Sequence, residues 1–186
     1  MLVLASQSPR RKEILSAAGF QFVVRASYIP EQRQAGEEPI AYVTRLAREK
    51  AEAVDCAPDE LILAADTVVV AGTEVLEKPR DNVDAARMLR LLAGREHQVI
   101  TGICLHTPVS LITDYAITTV VFSSMSDREI ESYVASGEVL DKAGAYAIQG
   151  LASRFIKRID GCYFNVVGLP ISLFYRHLKA LDATAG

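Results

Sequence analysis

The sequence contains no tryptophan, only three cysteines and no long hydrophobic run. The cysteines Cys56, Cys104 and Cys162 are far apart and match no zinc-ligand spacing, so they indicate a reducing compartment and thiols in or near the core. No apolar window approaches the roughly 20 residues of a membrane-spanning helix. The start of the chain also lacks the cationic flank and long apolar segment of a signal peptide. We therefore expect a cytoplasmic protein that does not enter the membrane.

An excess of positive charge is lacking as well. The chain has 20 Lys and Arg against 23 Asp and Glu, a net charge of -3. Such a balance argues against general affinity for nucleic acid, because no surplus of basic groups is available to release counterions. Any phosphate site must therefore be local. With 186 residues, half of them hydrophobic, the chain can bury one sizeable core, and we expect a single domain over 1–186.

Strand and helix patterns follow one another along the chain, and both helical and hairpin connections occur. Strands are predicted at 2–5, 20–25, 61–70, 97–107, 111–123, 154–159 and 163–167. Helices are predicted at 9–18, 39–55, from Asp81 to Gly94, at 126–136 and from 170 to 181, with a frayed tail after it. Asp81 with Asp84 is predicted to open the third helix, and Ser126 with Glu129 forms a predicted capping box at the start of the fourth. This order predicts an α/β fold with a mixed sheet.

The stretch Leu2 to Arg11 combines a buried strand with an unusual helix start. Ser6 and Ser8 can cap a helix, and Pro9 suits its first position. Arg10 and Arg11 then place two cations at the positive end of the helix dipole, which costs a few tenths to about 1 kcal/mol each. An anion such as phosphate would offset this cost. The alternative is that both arginines extend into solvent.

Asp66 stands within the nearly continuous apolar run Leu61 to Val70, which is typical of a central strand covered on both faces. A carboxylate in such a strand is costly unless it is paired, hydrogen-bonded or bound to a metal. Asp66 is therefore a candidate functional residue. The alternative is pairing with a nearby arginine or capping of a turn.

Three further charged residues have weaker local signals. Glu31 lies in a long polar loop between 27 and 39, which is also typical of a solvated loop. Lys50 lies late in its helix, where a surface lysine is the common case. Lys78 precedes Pro79, which stiffens the chain and could fix the ammonium, although an exposed charged turn fits equally.

Gln149 lies near the end of the small-residue segment 141–150, and its amide could read the edge of a base, although a glycine-rich surface loop fits too. Across the chain, basic groups, hydroxyls and a few carboxylates fit a phosphate ester or anhydride held with a divalent cation better than acyl transfer. A GxxxxGK pattern is missing, which excludes a P-loop. The residues alone thus indicate a nucleotide or phosphate enzyme.

Six segments taken together resemble the Maf family along nearly the full length. They are SQSPRRKEIL at 6–15, EQRQ at 31–34, AADTVV at 64–69, EKPRD at 77–81, DKAGAYAIQG at 141–150 and GCYFNVVGLP at 161–170. The resemblance implies a fold similar to inosine triphosphate pyrophosphatases: an elongated mixed sheet flanked by helices, with two lobes and a cleft. It also implies hydrolysis of nucleoside triphosphates to the monophosphate and pyrophosphate with Mg²⁺ or Mn²⁺, and a homodimer.

The resemblance also implies roles for single residues. Asp66 matches the proton acceptor that activates water, and Glu31 matches a carboxylate near the metal; the two could exchange the roles of base and metal ligand. The phosphate-binding positions are matched by Ser6, Arg10, Arg11, Lys50 and Lys78.

Within the family, this sequence resembles the dTTP/UTP pyrophosphatase branch. Arg11, Thr67 and Gln149 match positions that separate this branch from the one acting on 7-methyl-GTP. The implied role is removal of non-standard nucleotides, with a further link to arrest of cell division. Two alternatives stay open: a 7-methyl-GTP-type pyrophosphatase, and a nucleotide-binding regulator of septum formation without catalysis.

Overall fold

The computed structural model describes residues 1–184 and contains a mixed sheet of seven strands with six α-helices. The strands are β1 (Leu2–Leu4), β2 (Phe22–Val24), β3 (Leu61–Ala71), β4 (Glu74–Leu76), β5 (Glu96–Thr107), β6 (Ser110–Phe122) and β7 (Ile156–Asp160). The helices are α1 (Pro9–Ala17), α2 (Pro39–Glu52), α3 (Asn82–Leu92), α4 (Asp127–Ala135), α5 (Tyr163–Val167) and α6 (Ile171–Thr184).

The sheet has the order β2-β1-β3-β5-β6-β7, with β4 paired to β3. Strand β1 pairs parallel with both β2 and β3. Strand β4 pairs antiparallel with β3, and β7 pairs antiparallel with β6. Parallel pairs need crossover helices, and antiparallel pairs need only short turns. The predicted α/β class and mixed sheet are therefore confirmed.

By its contacts the chain divides into two compact units. The first contains Met1–Asp66, Thr101–Ala116 and Gly168–Gly186, and the second contains Thr67–Ile100 and Ile117–Val167. The expectation of a single domain over 1–186 stays a prediction.

In the first unit, α2 packs on the sheet through small residues. Ala47 and Ala51 of the helix lie in one core cluster with Ala5 and Ala64 of the sheet region. At Gly102 in β5, a Cβ atom would lie 2.5 Å from the carbonyl oxygen of Val43 in α2. The absence of a side chain at Gly102 lets α2 approach the sheet closely, and this distance determines the position of Lys50.

In the second unit, α3 and α4 pack over the sheet around one apolar core, which includes Leu89, Phe122 and Tyr133. Both helices begin at the predicted caps: the Asp81 carboxylate accepts from the Asp84 N–H, and Ser126 forms a capping box with Glu129. These predictions depend on groups three residues apart, and they are confirmed.

The predicted strand at 163–167 is wrong, because these residues form the short helix α5. A five-residue apolar run does not distinguish a strand from a buried helix. The deciding contacts are distant in sequence: the Asn165 Nδ2 donates to the Val99 carbonyl and to Thr118 Oγ1, both at 3.0 Å.

The last helix is predicted to end at 181, but α6 continues to Thr184. The remainder of the predicted frayed tail, 185–186, lies outside the described residues. Across residues 1–184, no helix is both long and apolar enough to cross a membrane.

Candidate active site

Asp66 lies in β3 at the end of the first unit and is only 7% exposed. Burial raises the pKa of its carboxyl group, because the charged form loses water, while the charges of Lys50 and Arg11 act in the opposite direction. The sequence argument that a buried carboxylate needs a partner holds here, and the partner is a lysine.

Lys50 is that partner, although its local pattern favours a surface lysine. The side chain extends from α2 into the protein and is 9% exposed. Its Nζ lies 2.5 Å from Asp66 Oδ1 and 2.7 Å from Glu31 Oε1. The surface interpretation of Lys50 is wrong, because position 50 follows Val43 by seven and Leu46 by four residues and therefore lies on the buried face of α2.

Glu31 reaches the same ammonium from the polar loop before α2. Its side chain is 41% exposed, so solvent reaches this side of the cluster. The structure therefore brings together Glu31, Lys50 and Asp66 from a loop, a helix and a strand. The Lys50 ammonium lies between two carboxylates, of which Asp66 is buried and Glu31 is partly open to solvent.

Arg11 and Ser6 lie at the start of α1. Arg11 Nη1 donates to Ser6 Oγ at 3.2 Å, and Arg11 Nε donates to the Gly168 carbonyl at 2.8 Å. The Ser6 hydroxyl also accepts the Ser8 N–H at 3.2 Å, at the N-cap of the helix. Arg11 is thus held by the protein and does not extend into solvent, while Arg10 beside it is half-buried.

Electrostatics link Arg11 to the acidic pair. Burial lowers the pKa of the Arg11 guanidinium, whereas the negative charges of Asp66 and Glu31 act to raise it. Arg11 therefore lies within the field of both carboxylates, and the group Ser6, Arg11, Glu31, Lys50 and Asp66 forms one polar site in the first unit.

The carbonyl of Gly168 is a site group that the sequence does not indicate. It lies in the segment 161–170, but a backbone acceptor leaves no signal in residue type. Gly168 has φ near 120°, which favours glycine, and this conformation is the only local sign that its peptide is placed unusually.

The other predicted site residues belong to the second unit. Thr67 follows Asp66 directly in β3, Lys78 is exposed after β4, and Gln149 is exposed near the end of the segment 141–150. The Gly144 N–H donates to the Glu77 carbonyl at 3.1 Å, so the segment carrying Gln149 is bonded to the one carrying Lys78.

The fit of a divalent cation can be judged from the oxygen donors. In the described part of the chain, no cluster of three or more His, Cys, Asp or Glu side chains could hold a metal. Asp66 and Glu31 nevertheless converge on one cationic atom, and Mg²⁺ sites in nucleotide enzymes commonly use one or two carboxylates with phosphate oxygens and water. The residues fit a cation that arrives with a phosphate substrate.

Comparison with known proteins identifies the family. The model of the family described as Maf-like protein matches residues 1–181. The chain belongs to the Maf family.

Relatives in the Maf family are similar over nearly the whole chain. A dTTP/UTP pyrophosphatase of Koribacter versatilis is 50% identical over 179 residues, covering 96% of this chain and 93% of that protein. One of Salmonella typhimurium is 50% identical over 184 residues, covering 98% of this chain and 93% of that protein. Among solved structures, the Ham1 protein of Staphylococcus aureus is 14% identical, covers 96% of this chain and 98% of its own, and has a TM-score of 0.48.

Proposed function

We propose that this protein hydrolyses dTTP and UTP to the nucleoside monophosphate and pyrophosphate. The observation that carries the proposal is the cluster in which Lys50 Nζ lies 2.5 Å from Asp66 and 2.7 Å from Glu31, with Arg11 in the field of both carboxylates. The name dTTP/UTP pyrophosphatase, carried by relatives at 50% identity, supports the choice of substrate.

The residues of the first unit suit attack of water on the α-phosphorus. Asp66 takes the proton of the attacking water, and Glu31, on the more open side of Lys50, would hold the divalent cation. Arg11, Arg10 and the Ser6 hydroxyl hold phosphate oxygens at the start of α1, where the helix dipole also favours anions. Lys50 and Arg11 offset the negative charge of the leaving pyrophosphate.

A divalent cation would be held by Glu31 and Asp66 together with phosphate oxygens. When bound, it polarises the phosphate and neutralises charge on the leaving group. Removal of Mg²⁺ or Mn²⁺ with a chelator should abolish turnover, and addition of either cation should restore it.

Lys78, Thr67 and Gln149 complete the proposal. Lys78 supplies another cation for phosphate, while the Gln149 amide offers a donor and an acceptor suited to the edge of a pyrimidine. Thr67, which directly follows the proposed base, contributes with Arg11 and Gln149 to the preference for dTTP and UTP.

A nucleotide panel with separate detection of pyrophosphate and phosphate tests the function. The protein is incubated with Mg²⁺ or Mn²⁺ and dTTP, UTP, dCTP, GTP or 7-methyl-GTP. We expect pyrophosphate from dTTP and UTP in preference to the others. Release of inorganic phosphate without pyrophosphate, or binding without turnover, would reject the proposal, and a preference for 7-methyl-GTP would reject the substrate class.

Assembly as a homodimer is a further proposal, carried over from the resemblance to the family. Sedimentation equilibrium measures it directly, with a mass of twice 20.3 kDa expected. A mass of 20.3 kDa at micromolar concentration would contradict it.

A further inference from the structure

Glu31 lies on a loop of residues 25–38, which connects β2 to α2 without regular secondary structure. A carboxylate that contacts a metal or a lysine must be held within a fraction of an ångström, and a free loop of this length would not do so. The question is therefore which contacts fix this loop against the rest of the first unit.

Arg45 on α2 makes the densest set of these contacts. Its Nε and Nη2 donate to the two carboxylate oxygens of Glu37 at 2.7 and 2.8 Å, the paired geometry that arginine forms with a carboxylate. Its Nη2 also donates to the carbonyl of Gln32 at 3.0 Å. Gln32 directly follows Glu31, so one guanidinium bonds the carbonyl of the residue next to Glu31 and the side chain of Glu37 at the far end of the loop.

Hydrogen bonds also form within the loop between Gln32 and Glu37. The Glu37 carboxylate accepts the Gln34 N–H at 3.0 Å, and the Glu37 N–H donates to the Gln34 carbonyl at 3.1 Å. The Arg33 Nε donates to the Glu37 carbonyl at 2.8 Å. Residues 33–37 thus form one bonded turn, and Arg45 attaches this turn and the preceding Gln32 carbonyl to α2.

The same helix carries Lys50, five residues after Arg45. Both partners in the contact between Glu31 and Lys50 are therefore connected to α2. Lys50 is a residue of this helix, and Glu31 is attached to it through the bond from Arg45 to the neighbouring Gln32. We infer that Arg45, with Glu37, is a positioning residue that holds the Glu31 carboxylate against Lys50.

This inference rests on the proposed function and deepens it, because it assigns the Glu31 geometry to a residue outside the catalytic cluster. The Glu37 carboxylate supports it, since the bond from Arg45 lowers the pKa of this group to about 2, as expected where the pair favours the charged form. Glu37 is also poorly exposed, at 10% of its side chain, as expected of a pair that is more than a surface contact.

A matched control lies about one turn further along the same helix. Arg48 Nε donates to Glu52 at 2.9 Å in an i,i+4 pair, with both side chains largely exposed. Exposed pairs of this kind contribute little to stability. Arg48→Gln removes an arginine pair from α2 without touching the loop, so it measures the cost of losing such a pair alone.

The first measurement is amide hydrogen exchange of residues 31–37 in the full chain, which needs no turnover. We expect Arg45→Gln to accelerate exchange there at least about tenfold, Arg45→Lys to have a smaller effect, and Arg48→Gln to leave it unchanged. Equal exchange in Arg45→Gln and Arg48→Gln would overturn the inference.

The second measurement is the Mg²⁺ concentration needed for half-maximal pyrophosphate release. Arg45→Gln should raise it at least about fivefold, with partial rescue in Arg45→Lys and no change in Arg48→Gln. Faster exchange with an unchanged Mg²⁺ requirement would overturn the inference, since Glu31 would not depend on the turn. Failure of the wild-type protein to release pyrophosphate would instead reject the proposed function, and the exchange data would still decide whether Arg45 holds the loop.

Discussion

The ammonium of Lys50 and the carboxylate of Asp66 form a buried contact of 2.5 Å between a helix and the central strand of the sheet. Their opposite charges compensate each other in a buried place where either group alone would be costly. Breaking such a buried pair from one side costs about 3–5 kcal/mol, because an unpaired charge is left behind. The pair therefore connects the stability of the first unit to its chemistry.

Asp66→Asn should lower kcat for dTTP at least about a hundredfold at saturating cation, because an amide cannot accept the proton of the attacking water. Steady-state kinetics with pyrophosphate detection measures this. Asp84→Asn is the control: Asp84 is equally buried, at 6% exposure, but it pairs with Arg80 and Arg87. An Asp66→Asn rate equal to that of Asp84→Asn would remove Asp66 from the role of base.

Glu31→Gln separates the two carboxylates. If Glu31 contacts the cation and Asp66 is the base, Glu31→Gln raises the Mg²⁺ concentration for half-maximal rate and recovers most of kcat at high Mg²⁺. Titration of Mg²⁺ at fixed dTTP measures this. The reverse pattern, recovery in Asp66→Asn and none in Glu31→Gln, would exchange their roles.

His97 should make the protein sensitive to acid. It is 3% exposed, its Nε2 is within 2.8 Å of the Tyr146 hydroxyl, and burial lowers its pKa to about 4. Between pH 6.5 and 4 the unfolded chain binds a proton at this histidine and the folded protein does not. The free energy of unfolding therefore decreases by up to about 3 kcal/mol as the pH is lowered from 6.5 to 4.

Urea unfolding between pH 7 and pH 4 measures this loss. His97→Gln should flatten the decline, because glutamine does not titrate and can still bond Tyr146. His106→Gln, at a half-exposed histidine, should retain it. An unchanged pH dependence in His97→Gln would show that other groups cause the acid sensitivity.

Gly102→Ala should disturb the seat of α2. The new methyl group would lie 2.5 Å from the Val43 carbonyl oxygen, so helix or strand must shift. We expect a loss of about 1–3 kcal/mol in unfolding free energy, as for other overpacked sites, and a lower kcat because Lys50 moves with α2. Gly72→Ala adds a methyl group to open space at a φ of +60°, and should affect stability without affecting kcat.

Full kcat in the Gly102→Ala variant would show that α2 can move without displacing Lys50. Thermal unfolding of the same preparation separates this result from a failure to fold.

How far the sequence predicts this molecule depends on the range of the interactions. The caps at Asp81 and Ser126 join groups three residues apart, and the order of residues reveals them directly. The mixed sheet follows from strand patterns and connection types. Asp66 is identified because a carboxylate in an apolar strand demands a partner.

The partner itself is beyond local reasoning. Helix periodicity places Lys50 on the buried face of α2, but Asp66 is 16 residues away, and the contact between them forms only when the helix packs on the sheet. The helix α5 likewise depends on bonds from Asn165 to Val99 and Thr118, which are 66 and 47 positions earlier in the chain. The Gly168 carbonyl that holds Arg11 leaves no trace in side-chain chemistry. For residues with weak local signals, such as Glu31 and Lys50, the resemblance to a family indicates site roles that local patterns do not.

The site of bond cleavage tests the central claim most directly. Hydrolysis of dTTP in water enriched in ¹⁸O, followed by mass spectrometry of both products, shows which phosphorus the water attacks. Attack on the α-phosphorus, as proposed for the cluster of Asp66, Lys50 and Arg11, places the label in dTMP and none in pyrophosphate. Label in pyrophosphate would contradict the account.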